Sequence, residues 1–496
     1  MTRVVWRGLA GALAAIVLGL GPFAQAAASG ADALTARWTV ALQHIGEGKC
    51  DGAEWTAISQ DPAFQKLASR MRSVTYVNLS ACIGGARQHE WRVLASLERE
   101  AIPLAWGLLF LEAVDRRDTV EALADLEADI AASRRDGAPF TVPNDDGIYV
   151  LRYNLKEDAL QRRRLFRDLD ASNWQPSDPV DDLSSFWADY STMLLESGDQ
   201  LAAGRVAKKV TAPIDLFGMR LDRRFAPLVE RDPATFDVAY AAYATLEHLQ
   251  RAYAHATDDN GAYEIIGAMR ALGRYEDALA FADQVLKKDQ IVDHRGLDYR
   301  NWIEDRRASV LLDLGRFDEA IAGQRTAASH LERGHANLSQ FLNLAKMLVG
   351  QGRFREALMT LEPLRTTDPA DTAFVAGVRA CAFSGLGDLK GEQEALAFTA
   401  AHVSDNRHAR LRALVCADDT PGAVALMLAW LNDPLHLEDA LVDLCTASAV
   451  PLGSYDAVLS KRFAKVRNDP SIVAAVAKLG HTEALTKVGA IWPSYP

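Results

Sequence analysis

Between residues 259 and 400 the apolar positions recur at the three-to-four-residue spacing of one helix face. A glycine breaks the pattern at intervals. "LGRYEDALAF" (272–281), "LGRFDEAIAG" (314–323) and "QGRFREALMT" (351–360) share one form, and "LGDLKGEQEALAF" (386–398) is a looser version. Gly273, Gly315, Gly352 and Gly387 stand 42, 37 and 35 residues apart. An apolar helical stretch lies on each side of every glycine. The pattern predicts helix pairs, in which the glycine takes the left-handed backbone that ends the first helix and turns the chain back. An aromatic two places on (Tyr275, Phe317, Phe354) is predicted to open the second helix. An alanine follows three residues later (Ala278, Ala320, Ala357), and Ile266, Ala308, Ala345 and Ala380 sit seven before the glycines. Small side chains at fixed points on both helices allow a close crossing. Pro369 is expected to stop the helix after Gly352.

A more degenerate copy is expected at "SSFWADYSTMLLESGDQLAAGRVAKKV", with Gly198 as the turn and Trp187, Tyr190, Ser191 and Ala203 as packing positions. Residues 32–130 also read as hairpins, with turns at "GEGKCDGA", "GGARQ" and "DRRDT". The breaks at 136–147 and 173–182 read as insertions between hairpins. No segment alternates with period two over several strands.

Repeats of this size mark stacked supersecondary units. The segment 259–400 resembles the tetratricopeptide repeat, a helix-turn-helix unit of about 34 residues. Gly352, Phe354, Ala357, Ala345 and Pro369 fall on that family's positions. The first interval is longer than the family's, and the fourth copy lacks the alanine after its glycine. The resemblance implies an all-α fold, an α-α superhelix of stacked antiparallel hairpins, because one pair cannot bury its own apolar faces. It also implies a kind of work: holding an extended peptide or a partner's helix in a concave groove lined by the first helices. Tyr263, Glu264, Arg270, Asp305, Arg306, Asn343 and Lys346 occupy the inward positions and are the expected partner-binding residues. Their mixed charge suits a polar, hydrogen-bonding partner.

The chain opens "MTRVVWRGLAGALAAIVLGLGPFAQAAASG". Arg3 and Arg7 precede an apolar run from Leu9 to Leu20, and Ala24-Gln25-Ala26 has the small-x-small form of a cleavage site. Residues 1–26 are therefore expected to be a signal peptide that sends the protein to the periplasm or exterior of a bacterium. The expected domains are 27–258, degenerate repeats; 259–400, repeats; and 401–496, C-terminal hairpins that cap the array. No later stretch is long and apolar enough to span a membrane. Loss of Arg3 and Arg7 takes the formal net charge from −12 to −14. Such a chain repels phosphate backbones, so nucleic acid is not an expected partner.

Five cysteines in an exported chain suggest disulfides with one thiol left over. In a stack of hairpins alternate helices run parallel. Cys50 and Cys82, and again Cys416 and Cys445, then fall at one edge, 32 and 29 residues apart. Cys50–Cys82 and Cys416–Cys445 are the expected bridges, stapling the two ends of the array, with Cys381 a buried free thiol.

Catalytic and cofactor motifs are scarce. "HEW" (89–91) begins like a zinc-protease motif, but Val93 stands where the second histidine belongs. No nucleophile elbow, P-loop or paired C-x-x-C occurs, and no cofactor is expected. "NDDG" (144–147) and "DDNG" (258–261) read as turns. "QRRRLFRDL" (161–169) reads as a basic helix face, either solvated or docking an acidic partner. The leading expectation is a non-enzymatic periplasmic scaffold for a protein or peptide. The alternatives are an accessory of envelope polysaccharide export and a glycan-acting helical enzyme whose site carries no motif.

Overall fold

The computed structural model describes residues 33–485, apart from 48, 84–86, 143, 157, 177–181, 294–295, 331–336, 365, 367, 435 and 448–450. The expected signal peptide, 1–26, lies outside the described residues. The fold is all-α, with one two-residue parallel ladder among the described residues. The chain forms two compact units, one up to Pro179 and one from Val180. The boundary falls within 173–182, read above as an insertion between hairpins. "NWQPSDPVDD" offers no helical apolar face for neighbours to pack on, so the break separates units instead of hairpins.

The first unit contains α1 (Ala33–Gly46), α2 (Gly52–Ser59), α3 (Ser69–Ile83), α4 (Gln88–Ser96), α5 (Pro103–Asp115), α6 (Thr119–Arg135), α7 (Asp146–Asn154) and α8 (Ala159–Ser172). The helices break at the turns expected from sequence. Trp38 and Trp55 meet edge to face at 6.5 Å in the core. Cys50, just before α2, is bonded to Cys82 near the end of α3, with Cα atoms 5.3 Å apart.

The second unit contains α9 (Ser184–Glu196), α10 (Gln200–Ala207), α11 (Pro213–Leu221), α12 (Ala226–Arg231), α13 (Val238–Tyr253), α14 (Asn260–Ala271), α15 (Tyr275–Val285), α16 (Arg300–Asp313), α17 (Phe317–Ser329) and α18 (Leu338–Gly350). It continues with α19 (Phe354–Leu361), α20 (Pro369–Leu386), α21 (Leu389–Ala401), α22 (Arg407–Cys416), α23 (Thr420–Leu431), α24 (Leu437–Asp443), β1 (Thr446–Ala447), α25 (Asp456–Arg467), α26 (Pro470–Leu479) and β2 (Ala484–Leu485). Consecutive helices pack as neighbours.

The repeated glycines do what their spacing requires. Gly273, Gly315, Gly352 and Gly387 have φ of 69°, 74°, 73° and 70°. After α16, Gly315 N donates to Leu312 O and Arg316 N to Leu311 O, closing two of the carbonyls that a helix end leaves open. The other three turns repeat this pair of bonds. Tyr275, Phe317 and Phe354 each open the second helix, and the preceding arginine pairs with the acid three residues on: Arg274–Asp277, Arg316–Glu319 and Arg353–Glu356. The same turn occurs without glycine at Arg117 (φ 60°) and Asp418 (φ 56°). There an aspartate caps the second helix, Asp118 accepting from Glu121 N and Asp419 from Gly422 N.

The small positions are crossings. Ala308, Ala345, Ala380, Ala278, Ala320 and Ala357 are fully buried. Pro369 does not end a helix as expected. The second helix stops at Leu361, and Pro369 opens α20 behind the Asp368 cap, because the first helical turn does not need the missing N–H.

The C-terminal bridge corrects the pairing expected from sequence: Cys416 is bonded to Cys381, and Cys445 is free and buried. Cys381 on α20 and Cys416 on α22 stand 35 residues apart, the interval between Gly352 and Gly387. Cys381 lies six residues before its turn at Gly387, in mid-helix, whereas Cys416 is the last residue of α22, two before the turn at Asp418. Gly377 lets α20 approach so closely that a Cβ there would lie 2.8 Å from Ala409 O. The two Cα atoms are then 4.8 Å apart, well within disulfide range. Cys445 lies beyond α24, with Leu441 O and Glu483 N as its neighbours.

The last stretch of the chain packs α25 and α26 on α23 and also returns to the unit's first helices. Thr192 Oγ1 on α9 donates to Glu438 Oε1 on α24 at 3.0 Å. Leu221 O accepts from His481 N (3.0 Å), Arg223 donates to Ala477 O (2.9 Å), and β2 pairs with β1. Between these contacts, residues 451–467 cross the C-terminal ends of the first helices. Tyr455 N donates to Gly350 O at 2.9 Å, and its ring meets Phe354 at 4.8 Å. Arg462 donates to Val415 O and Cys416 O at the end of α22, where a cation meets the negative pole of the helix.

Arg117 is exposed and holds a left-handed backbone that costs a non-glycine residue about 1–2 kcal/mol. After allowance for the flexibility glycine adds to the unfolded chain, Arg117→Gly should stabilise the protein by about 0.5–1 kcal/mol. Denaturant unfolding followed by circular dichroism checks this; a loss of stability would show that the arginine side chain contributes more than its backbone strain removes.

Candidate functional site

The seven residues expected to line a groove all lie on α14, α16 and α18, yet they separate into three groups with different occupations. Asp305 is buried and joins three helices. It accepts from Gln324 Nε2 on α17 (2.7 Å) and from Asn343 Nδ2 on α18 (2.8 Å), while Gln324 also donates to Gln340 O. A buried carboxylate needs such donors to offset its desolvation. Arg270 forms a two-bond pair with Asp313, tying α14 to α16. Arg270, Asp305 and Asn343 therefore hold the hairpins together.

Tyr263, Glu264 and Arg306 form the second group, with two neighbours that sequence reading passed over. Tyr263 on α14 meets Tyr299 (6.1 Å, 68°) and Trp302 (5.9 Å, 88°) edge to face, the favoured geometry for aromatic pairs. The Arg306 guanidinium lies 3.9 Å above the Tyr263 ring, a close cation–π contact. The guanidinium passes beside Gly267, where a Cβ would lie in ordinary contact with Arg306 Cζ at 3.7 Å. Arg306 is half-buried, and its Nε has no hydrogen-bond partner among the described residues. Glu264 is also half-buried, and no hydrogen bond or ion pair joins it to the described residues. Burial pushes its carboxyl above the usual carboxylate range, with Arg306 pulling the other way and Asp182 adding to the rise. An acid and a guanidinium thus stand beside three half-buried aromatic rings, each short of a direct partner.

Lys346 makes the third group. It sits in a recess on α18 with its Nζ 5.5 Å from the Phe374 ring. Burial lowers the amine to about 7; Arg412 adds to the lowering, and Asp305 and Asp456 oppose it. Asp456, the first residue of α25, is raised by burial, with Arg412 and Lys346 pulling it back. Its carboxylate fills the space beside Gly350, where any Cβ would collide with it. The chain's own C-terminal segment thus covers the Lys346 end of the surface.

A parallel polar cluster sits where the unit closes. Glu438 is half-buried beside Thr192, and burial raises its carboxyl to about 8. Asp222 and Asp189 add to the rise, while Arg224 and the Thr192 hydrogen bond oppose it. Arg224 is itself paired with Asp222 and Glu196.

Trp302 was legible in principle, because it stands four residues before Arg306 on one helix face. Asp456 and Arg412 carried no local signal. The basic run at 161–169 is largely engaged within its own unit: Arg162 is buried, Arg164 pairs with Glu127, and Arg167 with Asp168. His89 pairs with Glu112, and no group of three metal-ligating side chains occurs among the described residues. No helix among the described residues is long and apolar enough to cross a membrane. Two disulfides fit an oxidising location. No protein-family model matches the chain, and no curated protein matches it.

Glu438 sets a pH test. Its folded value, about 8, lies above the ordinary carboxylate value of 4.5, so between these limits the folded state keeps a proton that the unfolded state has lost. The stability it contributes is complete below pH 4.5 and is lost as pH rises through 8. Glu438→Gln should remove a decline on the order of 2–4 kcal/mol across that window. Paired denaturant titrations of wild type and variant at pH 5, 7 and 9 check this; parallel pH profiles would contradict it.

Proposed function

We propose that the protein is a non-enzymatic scaffold of a bacterial envelope, exported to the periplasm or exterior, whose helical pairs are tetratricopeptide-like. In this reading it holds an extended protein or peptide segment against α14 and α16. The observation that carries it is the pairing of Glu264 and Arg306, two opposite charges without direct partners, with Tyr263, Tyr299 and Trp302. Aromatic and arginine side chains are the residues most often found to anchor interfaces. Arg306 offers N–H donors to a carboxylate or backbone carbonyl, and Glu264 accepts from an amide or ammonium group. The binding surface is narrower than the seven-residue set, since Arg270, Asp305 and Asn343 are engaged internally and Lys346 faces Asp456. Three aromatic rings beside a carboxylate also suit the C–H face of a sugar, which keeps an accessory role in envelope polysaccharide export as the second reading.

A photo-reactive amino acid at position 302 should cross-link a specific envelope partner. Arg306→Glu should cut that capture about tenfold or more. Because Arg306 is half-buried over the Tyr263 ring, circular dichroism and thermal unfolding must show the variant folded, and Arg306→Gln, which adds no negative charge beside Glu264, should cut capture as well. Lys390→Glu, on an exposed helix face, is the control and should change nothing. Capture that survives Arg306→Glu contradicts the protein-scaffold reading. Loss of the cross-link on adding envelope polysaccharide, with no protein recovered, favours the second.

A further inference from the structure

A second candidate site lies on α10 and α12, apart from the surface above. Leu201, Gly204, Arg205 and Lys208 follow one another at helical spacing on one face. With Leu228, Arg231, Asp232, Thr235 and Phe236 they line an open cleft of about 530 Å³, within the usual size of small-molecule sites. Its floor is apolar, with Leu228 2% and Phe236 3% exposed, and Leu201 stands at the rim 80% exposed. Gly204 makes the space. A Cβ there would come within 2.7 Å of an Arg231 terminal nitrogen and 3.4 Å of Leu228.

The charge is unusual for this chain. Against a formal net charge of −12, the cleft carries three cations and one carboxylate. Lys208 and Asp232 neutralise each other at 2.9 Å, and Thr235 also donates to Asp232 at 3.0 Å. Lys208 and Thr235 hold the Asp232 carboxyl below its ordinary range, so it remains ionised and the pair stays intact at neutral pH. Arg231 is exposed, and no hydrogen bond or ion pair joins it to the described residues. Its guanidinium lies over the Gly204 backbone at the cleft wall. An arginine suits a carboxylate or phosphate because its planar fork matches two acceptor oxygens.

We infer that this cleft binds an anionic amphiphile, with the acidic head on Arg231 and the apolar body over Leu201, Leu228 and Phe236. A free organic acid and a phosphorylated lipid share this chemistry, and the head group chosen as probe separates them.

Isothermal titration of the whole protein with dodecanoate and with dodecyl phosphate, each below its micelle concentration, tests the inference. At least one should bind in a one-to-one ratio, and the tighter names the preferred head. Inorganic phosphate and dodecyltrimethylammonium should not bind, because each lacks half of the recognition. Arg231→Glu should weaken the anionic probe at least tenfold, while Arg231→Lys keeps part of the affinity. Gly204→Leu should abolish binding by filling the cleft, with thermal unfolding of each variant confirming that it is folded. The inference is overturned if neither anionic amphiphile binds, if the cationic one binds as tightly, or if affinity survives Arg231→Glu. A doubly capped acidic peptide that binds more tightly than both amphiphiles would also overturn it, making the cleft a peptide site.

Discussion

The left-handed turn after each first helix is the constraint on which the second unit rests. Two backbone hydrogen bonds close the helix end, and the chain reverses within three residues. Once it reverses there, the alanines on both helices must meet, and the next pair must stack on the exposed apolar faces. Because the turn is set by backbone conformation, glycine serves it best but is not indispensable. At Arg117 and Asp418 a non-glycine residue bears the strain, and an aspartate caps the following helix as it also does after Gly387.

This explains which parts of the fold could be read in the sequence. Gly273, Gly315, Gly352 and Gly387 are visible because glycine marks the turn, and the helices begin where Tyr275, Phe317 and Phe354 indicated. The hairpin turning at Asp418 left no such mark. The expected Cys50–Cys82 bridge forms, but the C-terminal pairing failed for a related reason. Placing Cys416 and Cys445 at one edge of a stack considered only direction, whereas α20 and α22 touch through Gly377 and Ala409 and bring Cys381 into range first. That close approach, and not the direction of the helices alone, decides which cysteine Cys416 meets.

The face of the first helices was legible by position, but the occupation of its polar residues was not. Periodicity put Arg270, Asp305 and Asn343 on the shared face of the first helices, where they are found. Whether a polar side chain there waits for a partner depends on residues far away in sequence: Asp313 takes Arg270, and Gln324 shares Asp305 with Asn343. Lys346 is the sharpest case, because Asp456 of the returning C-terminal segment, 110 residues further along the chain, acts on its charge together with Arg412 and Asp305. No local pattern could show that the chain comes back. Glu264 and Arg306 remain as the charges that intramolecular contacts leave incomplete.

The return of the chain is also what turns the face of the first helices from an open surface into one partly covered by the protein itself. Hydrogen–deuterium exchange by mass spectrometry on the full chain tests this most directly. The account predicts that peptides covering 451–467 and 476–484 are protected for as long as the α11 peptide 213–222, because Gly350 O and Leu221 O bond Tyr455 N and His481 N. If the C-terminal peptides exchange within seconds while α11 stays protected, the closure does not form in solution and the face of the first helices is open along its whole length.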